Sequence, residues 1–517
     1  MQQPMYVLSE DSSRTRGRAA QDSNIRAGRA VASAVRTTLG PRGMDKMLVD
    51  TAGEVVITND GATILREMDI EHPAAQMLVE VSETQEETVG DGTTTAAVLA
   101  GELLARAEDL LDDDVHPSVV VEGYHEAARI AEEAIDECLL DADLDDDLLA
   151  QVAESSMTGK GTGDVTAAAL ADLVVAAVRR VETDDGVDRE DVRLHARAGA
   201  ASSGSELVEG ILLDEEPATD DMPREVTDAT VAVLDAALEV RTGEVGAEYA
   251  ISSVDQLDAA IRAEDDELRG YARTLADAGV DALVCSKRID DRVAGYLADA
   301  GVLAFTNVSS ADAGAVASVT GAKRLGTLAD LDADDLGTAA SLTVERHGED
   351  DLTFVRGGDT DGPVTLLLRG STEHVLAELE RATEDAVDVV VAALTGGVVP
   401  GAGATEIAIA DRVRSATAGV EGRKQLAIEA FADAVDALPR TLAENAGLDP
   451  IDALVDLRAA HESTGRAGIV SDGRSGVVAD PVEYGIVDPA AVKREAVASA
   501  TDATGQILRI DDVIAAE

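Results

Sequence analysis

The sequence predicts a multidomain protein of mixed α and α/β class, and three observations support this prediction. The chain has 517 residues, enough for about three domains that each have an apolar core. Long alanine-rich stretches with helical spacing run to about Glu137 and return after Gly370. Between about Val192 and Gly362, short β-prone runs alternate with helical stretches, which is typical of an α/β domain.

The first elements are short and clearly bounded. A helix that carries Ile25 and Leu39 at helical spacing ends at Gly40-Pro41. Two β-prone runs follow, Met47 to Val49 and Val55 to Thr58, with a turn between them. We therefore expect a helix followed by a small hairpin.

Further along the chain, Asn59-Asp60-Gly61 forms a turn before a helix from Ala62 to Met68. The acidic patch from Asp141 to Asp147 is expected to be a solvated loop or the start of a helix. In the middle of the chain, three runs are expected to be strands: Thr230 to Leu234, Ala282 to Cys285 and Val302 to Asn307.

The net charge of −60 limits the possible partners. Binding to nucleic acid needs a basic face, so this charge argues against a nucleic-acid partner. Disorder is also disfavoured, because 45% of the residues are apolar and occur in periodic runs. Dissolved ions relieve the self-repulsion of so acidic a protein, since the Debye length is only about 3 Å at 1 M salt. The composition indicates a cytosol rich in salt, as in a halophile.

The sequence shows no sign of export or membrane insertion. Residues Met1 to Asp11 lack the basic and apolar regions of a signal peptide. The longest apolar run, Val387 to Pro400, is interrupted by Asp388 and is too short to span a bilayer. The two cysteines, Cys138 and Cys285, are expected to be buried free thiols. We expect a soluble cytoplasmic protein without a membrane partner.

The most informative local feature is the run Gly90-Asp91-Gly92-Thr93-Thr94-Thr95, which precedes an apolar helix. Its glycines let the backbone approach a bulky anion, and its hydroxyls and first-turn N–H groups can hold phosphate oxygens. The carboxylate of Asp91 would repel phosphate unless a cation lay between them, which indicates Mg²⁺. The alternative is a helix cap in which these side chains only satisfy backbone donors. The six residues alone leave both interpretations open.

Several other segments share this chemistry, but each has an ordinary explanation when taken alone. Leu39-Gly40-Pro41-Arg42-Gly43 is a tight turn at a helix end, and Asn59-Asp60-Gly61 is a common turn. Gly401-Ala402-Gly403 is a run of small residues before a helix, and Asp385 is one carboxylate on a predicted helix.

In order and spacing, however, these segments resemble the motifs of group II chaperonins, in particular the archaeal thermosome type. The resemblance spans the chain and is densest near its two ends. The residues that carry it are Leu39 to Asp50, Thr58 to Leu65, Gly90 to Thr95, Asn445 to Asp452 and Ile507 to Ala515.

The resemblance implies chaperonin architecture with three nested domains. The mainly helical equatorial domain, which binds ATP, would cover 1–138 and 397–517. The small intermediate domain would cover 139–205 and 364–396. The α/β apical domain, which binds clients, would cover 206–363. A capped amphipathic stretch at about 243–272 would be a helical protrusion that serves as a built-in lid. Its spacing alone would suggest an ordinary surface helix.

The resemblance also implies one ATP site built from both chain ends. Asp91 would bind Mg²⁺, Asp385 would orient and activate the attacking water, and Asp60 would be a second acid near that water. Lys160 would sense the γ-phosphate, and Asp488 would contact the ribose. The other positions implied in ATP binding are Leu39, Gly40, Pro41, Gly92, Thr93, Thr94, Thr95, Gly401, Ala402 and Gly403.

The implied function is that of an ATP-dependent protein-folding chaperonin subunit, an ATPase that uses ATP and Mg²⁺. Two stacked rings of about eight subunits each would enclose unfolded client proteins. The alternatives are a structural paralogue that hydrolyses ATP poorly within a mixed ring, and a small-molecule kinase with the same phosphate cradle. One departure from the family pattern is Ala402, which stands in a loop that usually has three glycines. Its methyl group is expected to crowd the nucleotide slightly.

Overall fold

The computed structural model describes residues 12–49, 53, 55–184, 186–199, 201–240, 254–347, 350–357, 362–471, 473 and 475–516. The α-helices, in chain order, are α1 (Arg18–Val35), α2 (Gly61–Glu67), α3 (Pro73–Val89), α4 (Thr93–Asp112), α5 (Pro117–Glu137), α6 (Asp146–Met157), α7 (Ala167–Val181), α8 (Val254–Asp277), α9 (Asp291–Asp299), α10 (Ser310–Thr320), α11 (Glu373–Gly396), α12 (Ala404–Thr417), α13 (Lys424–Val435), α14 (Ala437–Asn445), α15 (Pro450–Thr464) and α16 (Ala490–Leu508).

The β-strands, in chain order, are β1 (Ser12–Arg16), β2 (Lys46–Val49), β3 (Val55–Thr58), β4 (Val192–Ala198), β5 (Glu206–Val208), β6 (Ile211–Leu213), β7 (Glu225–Leu234), β8 (Ala282–Cys285), β9 (Leu303–Phe305), β10 (Arg324–Leu325), β11 (Gly337–His347), β12 (Asp350–Gly357), β13 (Val364–Gly370), β14 (Val398–Pro400), β15 (Gly468–Ser471), β16 (Gly476–Ala479), β17 (Val487–Pro489) and β18 (Asp512–Ala516).

The chain divides into two compact units, Met1–Val175 with Ala377–Glu517 and Ala176–Leu376. The first unit is mainly helical, and the second combines sheets with helices. This agrees with the predicted combination of α and α/β parts. The finer division into three domains stays a prediction.

Helices of the first unit approach closely because small residues lie at their contacts. A Cβ atom on Gly101 of α4 would stand 2.2 Å from the Cβ of Ala32 in α1, so only glycine allows this spacing. Larger side chains fill the space around α5, where Tyr124 donates its hydroxyl to the Leu103 carbonyl over 2.9 Å. The ring of Tyr124 also meets the ring of Phe431 edge to face.

Both ends of the chain meet within the first unit. Strand β1 pairs antiparallel with β18, and β14 pairs antiparallel with β17, where Val399 lies opposite Asp488. Helix α16, near the C-terminus, packs on α3, α4 and α5. The predicted hairpin forms as β2 and β3. This arrangement brings residues from distant parts of the sequence into one core.

The second unit is built on a sheet with strand order β6-β12-β11-β7-β8-β9, in which β10 also pairs with β7. Strands β7, β8 and β9 are parallel, and the helices that connect them cover β8, whose four residues are all buried. The predicted strands Thr230 to Leu234 and Ala282 to Cys285 fall within β7 and β8. The third predicted strand, Val302 to Asn307, is shorter in the structure, where β9 covers only Leu303–Phe305. A smaller sheet has the order β4-β13-β5.

The first helix ends earlier than predicted. Helix α1 ends at Val35, and a 3₁₀ turn over Arg36–Thr38 follows in place of the helix expected to reach Leu39. The Thr38 hydroxyl donates to the Val35 carbonyl over 2.8 Å, a local bond that competes with the helical pattern. The acidic patch is both a loop and a helix start, because Asp145 caps α6 through the Leu148 N–H.

The predicted lid protrusion at 243–272 lies partly outside the described residues, which resume at Val254. From there α8 continues to Asp277, with Leu268 and Leu275 buried and Ile261 exposed. The predicted helix is therefore present from Val254, and the part of the stretch that precedes it lies outside the described residues. The role of this segment as a lid stays a prediction.

Both cysteines are free, as predicted, although Cys138 is only half-buried. Burial raises the pKa of each thiol to about 11. Among the described residues, no helix is both long and apolar enough to cross a membrane.

A buried carboxylate joins four helices of the first unit. Asp436, between α13 and α14, has a side chain that is only 3% exposed. It accepts hydrogen bonds from Arg414 of α12 and Arg458 of α15. Because a buried charge is costly without its partner, these helices depend on one another at this point.

Replacing Asp436 by alanine is expected to lower the free energy of unfolding by about 2–3 kcal/mol. This is somewhat less than for a fully buried pair, because both guanidinium groups keep part of their hydration. Denaturant unfolding at fixed high salt measures the change. Asp433→Ala is the matched control, since Asp433 is exposed and also binds Arg414. We expect it to cost under about 1 kcal/mol, and equal losses in the two variants would contradict the assignment.

Candidate functional site

A cavity of about 220 Å³ in the first unit is lined by segments from both ends of the chain. It lies between the loop after α1, the start of α4, the loop after α6 and the starts of α12 and α16. Asp385 and Gly401 lie next to lining residues. The other predicted site residues line the cavity itself: Leu39, Gly40, Pro41, Asp60, Asp91, Gly92, Thr93, Thr94, Thr95, Lys160, Ala402, Gly403 and Asp488.

The start of α4 forms one wall of the cavity. Gly90 has φ +70° and Gly92 has φ +83°, and this left-handed backbone suits glycine. A Cβ on Gly90 would also stand 2.2 Å from that of Asp388. No described side chain caps α4, so its first-turn N–H groups keep their capacity to bind an anion. The Asp91 carboxylate accepts the Gly92 N–H over 2.7 Å, so part of the run satisfies a backbone donor while the first turn of α4 stays available to an anion.

The carboxylate of Asp60 fixes where two helices begin. One oxygen accepts a hydrogen bond from the Thr63 N–H over 2.7 Å and caps α2. The other accepts the Thr93 hydroxyl over 3.0 Å at the start of α4. Asp60 therefore orders the cavity wall in addition to any role in catalysis.

An ion pair between Lys160 and Asp385 lies beside the start of α4, and each side chain is 15% exposed. Burial, together with the charges of Asp60 and Asp91, raises the pKa of Asp385 to about 7 despite the opposing effect of Lys160. Burial would lower the pKa of Lys160, but Asp385 and Asp91 outweigh that effect and raise it. Burial also raises the pKa of Asp91, which Lys160 partly offsets.

The loop before α12 forms another wall. The Gly401 N–H donates to the Ile486 carbonyl over 3.0 Å, and a Cβ on Gly401 would lie 3.1 Å from a carboxylate oxygen of Asp488. Glycine at 401 therefore makes room for Asp488. Ala402 has φ +55°, a conformation that costs a non-glycine residue about 1 kcal/mol.

The sequence is similar to those of known proteins over its whole length. The sequence pattern of the TCP-1/cpn60 chaperonin family matches residues 31–517. The chain is 71% identical to thermosome subunit 3 of Haloferax volcanii, covering 100% of this chain and 99% of the relative. It is 48% identical to thermosome subunit beta of Methanothermobacter thermautotrophicus, covering 100% of this chain and 95% of that protein.

The chain belongs to the TCP-1/cpn60 chaperonin family. This confirms the predicted resemblance, the fold class and the function of an ATP-dependent protein-folding chaperonin with ATPase activity. It also confirms the coarser prediction of a ring-shaped oligomer that binds unfolded proteins. A 48% match to thermosome subunit alpha of Halobacterium salinarum, over 99% of this chain and 92% of that protein, supports the halophilic interpretation.

Sequence reasoning missed three side-chain amides that hold the chaperonin's site loops in place. Gln85 donates to the carbonyls of Asp91, over 2.7 Å, and Val492, over 3.2 Å. Asn59 donates to the Gly159 carbonyl over 2.7 Å, directly before Lys160.

The third amide, Asn445, donates to the carbonyls of Arg36 and Leu39 over 3.1 and 2.9 Å. Asn445, which lies in the C-terminal half of the chain, thereby fixes the position of the loop after α1. Asn59 and Asn445 do lie within the motifs that carried the family resemblance, whereas no sequence signal marks Gln85.

Sequence reasoning also missed Lys493 and Glu406, which line the cavity near Asp488. Lys493 binds both carboxylates, Asp488 over 2.7 Å and Glu406 over 2.8 Å. One compositional signal pointed to Lys493, since the chain has only six lysines against thirty-six arginines. Two of those six, Lys160 and Lys493, lie at this cavity.

Proposed function

We propose that this chaperonin subunit hydrolyses ATP in the cavity at the start of α4, with Mg²⁺ as a cofactor. The observation that carries the proposal is the pairing of Lys160 with Asp385 beside Asp91 and the uncapped start of α4. These are the groups that phosphoryl transfer to water needs: anion donors, a carboxylate for a cation, and a carboxylate for water.

The donor set fits a cation that is shared with phosphate. Mg²⁺ commonly takes one or two carboxylates and completes its shell with substrate phosphates and water. Asp91 supplies a carboxylate at the cavity wall, and no group of three or more metal-binding side chains occurs among the described residues. When bound, Mg²⁺ would neutralise charge on the phosphate oxygens.

The chain's own residues divide the remaining work. The first-turn N–H groups of Thr93 to Thr95 and the hydroxyls of Thr94 and Thr95 bind phosphate oxygens. Asp385 orients the attacking water and accepts its proton, a role that suits a carboxyl group with a pKa near 7. Lys160 favours the ionised form of Asp385 and would sense the γ-phosphate, while Asp488 would contact the ribose.

We further propose that the subunits form two stacked rings of about eight in the cytoplasm, with the three-domain plan predicted above. The segment at 243–272 acts as the built-in lid over the enclosed client. The family relationship and the helical character of α8 support this arrangement. The net charge of −60 supports assembly at high salt, where repulsion between subunits is screened.

Asp385→Ala is expected to bind ATP with little change but to lose turnover by about 100-fold or more, because the variant lacks the group that accepts the water's proton. Equilibrium ATP binding and steady-state phosphate release measure the two effects. The matched control is Glu384→Gln, which alters the exposed neighbouring carboxylate on α11. Turnover retained in Asp385→Ala would overturn the role of Asp385.

Lys160→Met is expected to shift the pH dependence of ATP turnover. Lys160 lowers the pKa of Asp385, so its loss raises that pKa, and the carboxylate form is lost at a higher pH as the solution is acidified. The acidic limb of the kcat profile should therefore move to higher pH in Lys160→Met and less in Lys160→Arg, which keeps the positive charge. An unmoved limb in Lys160→Met would show that Lys160 does not tune Asp385.

Electron microscopy of negatively stained protein tests the ring proposal. At molar salt we expect two stacked rings of about eight subunits, with a closed end when ATP is added. In dilute buffer the unscreened charge is expected to dissociate the rings. Monomers at molar salt, or intact rings in dilute buffer, would contradict these expectations.

A further inference from the structure

The wall of the cavity next to Asp488 contains a lysine for which the proposed hydrolysis mechanism has no role. Lys493 lies in the first turns of α16, and its side chain is 11% exposed. Its ammonium group bridges Asp488 of β17 and Glu406 of α12. Three elements of the first unit thus converge on one buried positive charge.

This cluster holds more acceptor capacity than the lysine uses. The Glu406 side chain is 6% exposed, and one of its oxygens binds Lys493. Its second oxygen is buried and has no hydrogen-bond partner among the described residues. A buried carboxylate oxygen without a donor is costly, so a donor from a ligand would be favourable here.

The charge of the cluster determines which kind of ligand group fits. One ammonium between two carboxylates leaves a net negative charge, which suits neutral hydroxyl donors and disfavours phosphate. Burial would lower the pKa of Lys493, but the two carboxylates outweigh that effect and raise it, so the lysine stays charged. A ribose presents two adjacent hydroxyl groups, and Asp488 and Glu406 both line the cavity.

We propose that Lys493 is a positioning residue that holds Asp488 and Glu406 as a pair of acceptors for the two ribose hydroxyls of the nucleotide. This inference rests on the proposed ATP site. Glu406 is thereby a second ribose-binding carboxylate, and Lys493 acts through both carboxylates without contacting the reacting phosphate.

The test compares ATP with 2′-deoxy-ATP in the assembled protein at high salt. We expect the wild-type protein to bind ATP about tenfold more tightly than 2′-deoxy-ATP, the effect of one hydrogen bond to a charged acceptor. Lys493→Met should raise the KM for ATP about tenfold and bring the KM ratio of the two nucleotides close to one. Its kcat at saturating ATP should stay within a few-fold of wild type.

Lys424→Met is the matched control, because Lys424 belongs to the same unit and its contact with Glu126 lies at the surface. It should leave both the KM and the nucleotide ratio unchanged. Glu406→Gln keeps the size of the side chain and provides a second test should Lys493→Met fail to assemble. It should reduce the preference for ATP in the same direction.

A wild-type protein that does not distinguish the two nucleotides would overturn the inference. A Lys493→Met protein that keeps the wild-type KM ratio of the two nucleotides would also overturn it. Loss of kcat with an unchanged KM ratio would indicate a purely structural role for Lys493 and would likewise contradict the inference. A failure of the proposed function would give a different observation from these. In that case, ATP turnover in the wild-type protein would not depend on Asp385.

Discussion

The site depends on the balance between five carboxylates and two lysines in one partly buried cavity. Each lysine neutralises buried carboxylates: Lys160 pairs with Asp385, and Lys493 lies between Asp488 and Glu406. The negative charge that remains suits cations and hydroxyl donors, and this excess gives the site its chemical character. The five carboxylates are Asp60, Asp91, Asp385, Glu406 and Asp488.

Neutral amides hold the geometry within which these charges act. Gln85 of α3 binds the carbonyls of Asp91 and of Val492, which lies 407 positions after it, and so ties the start of α4 to the start of α16. Asn59 and Asn445 do the same for the loops at Gly159 and Leu39. Amide-to-carbonyl bonds do not titrate and are little affected by salt. They can therefore keep the loops in place while the protonation of nearby groups changes.

Local turn chemistry made part of the structure predictable, whereas no periodic pattern in the sequence predicts which distant residues come into contact. The hairpin β2–β3 and the start of α4 follow from neighbouring residues, and they form as expected. The bonds of Lys493 to Glu406 and of Gln85 to Val492 join separate elements, and no periodic pattern records them. Ala402 shows the same limit, because its cost lies in a backbone φ of +55°, which the residue type alone does not reveal.

Asp385 lies on a helix that crosses the division between the two compact units. Helix α11 begins at Glu373 in the second compact unit, and the division between the units falls between Leu376 and Ala377. Asp385 lies about two helical turns beyond that point, on the same continuous helix. A helix transmits rotation along its length more readily than a loop does. The position of Asp385 is therefore set by the orientation of α11, whereas the position of Asp91 is set by the loop before α4.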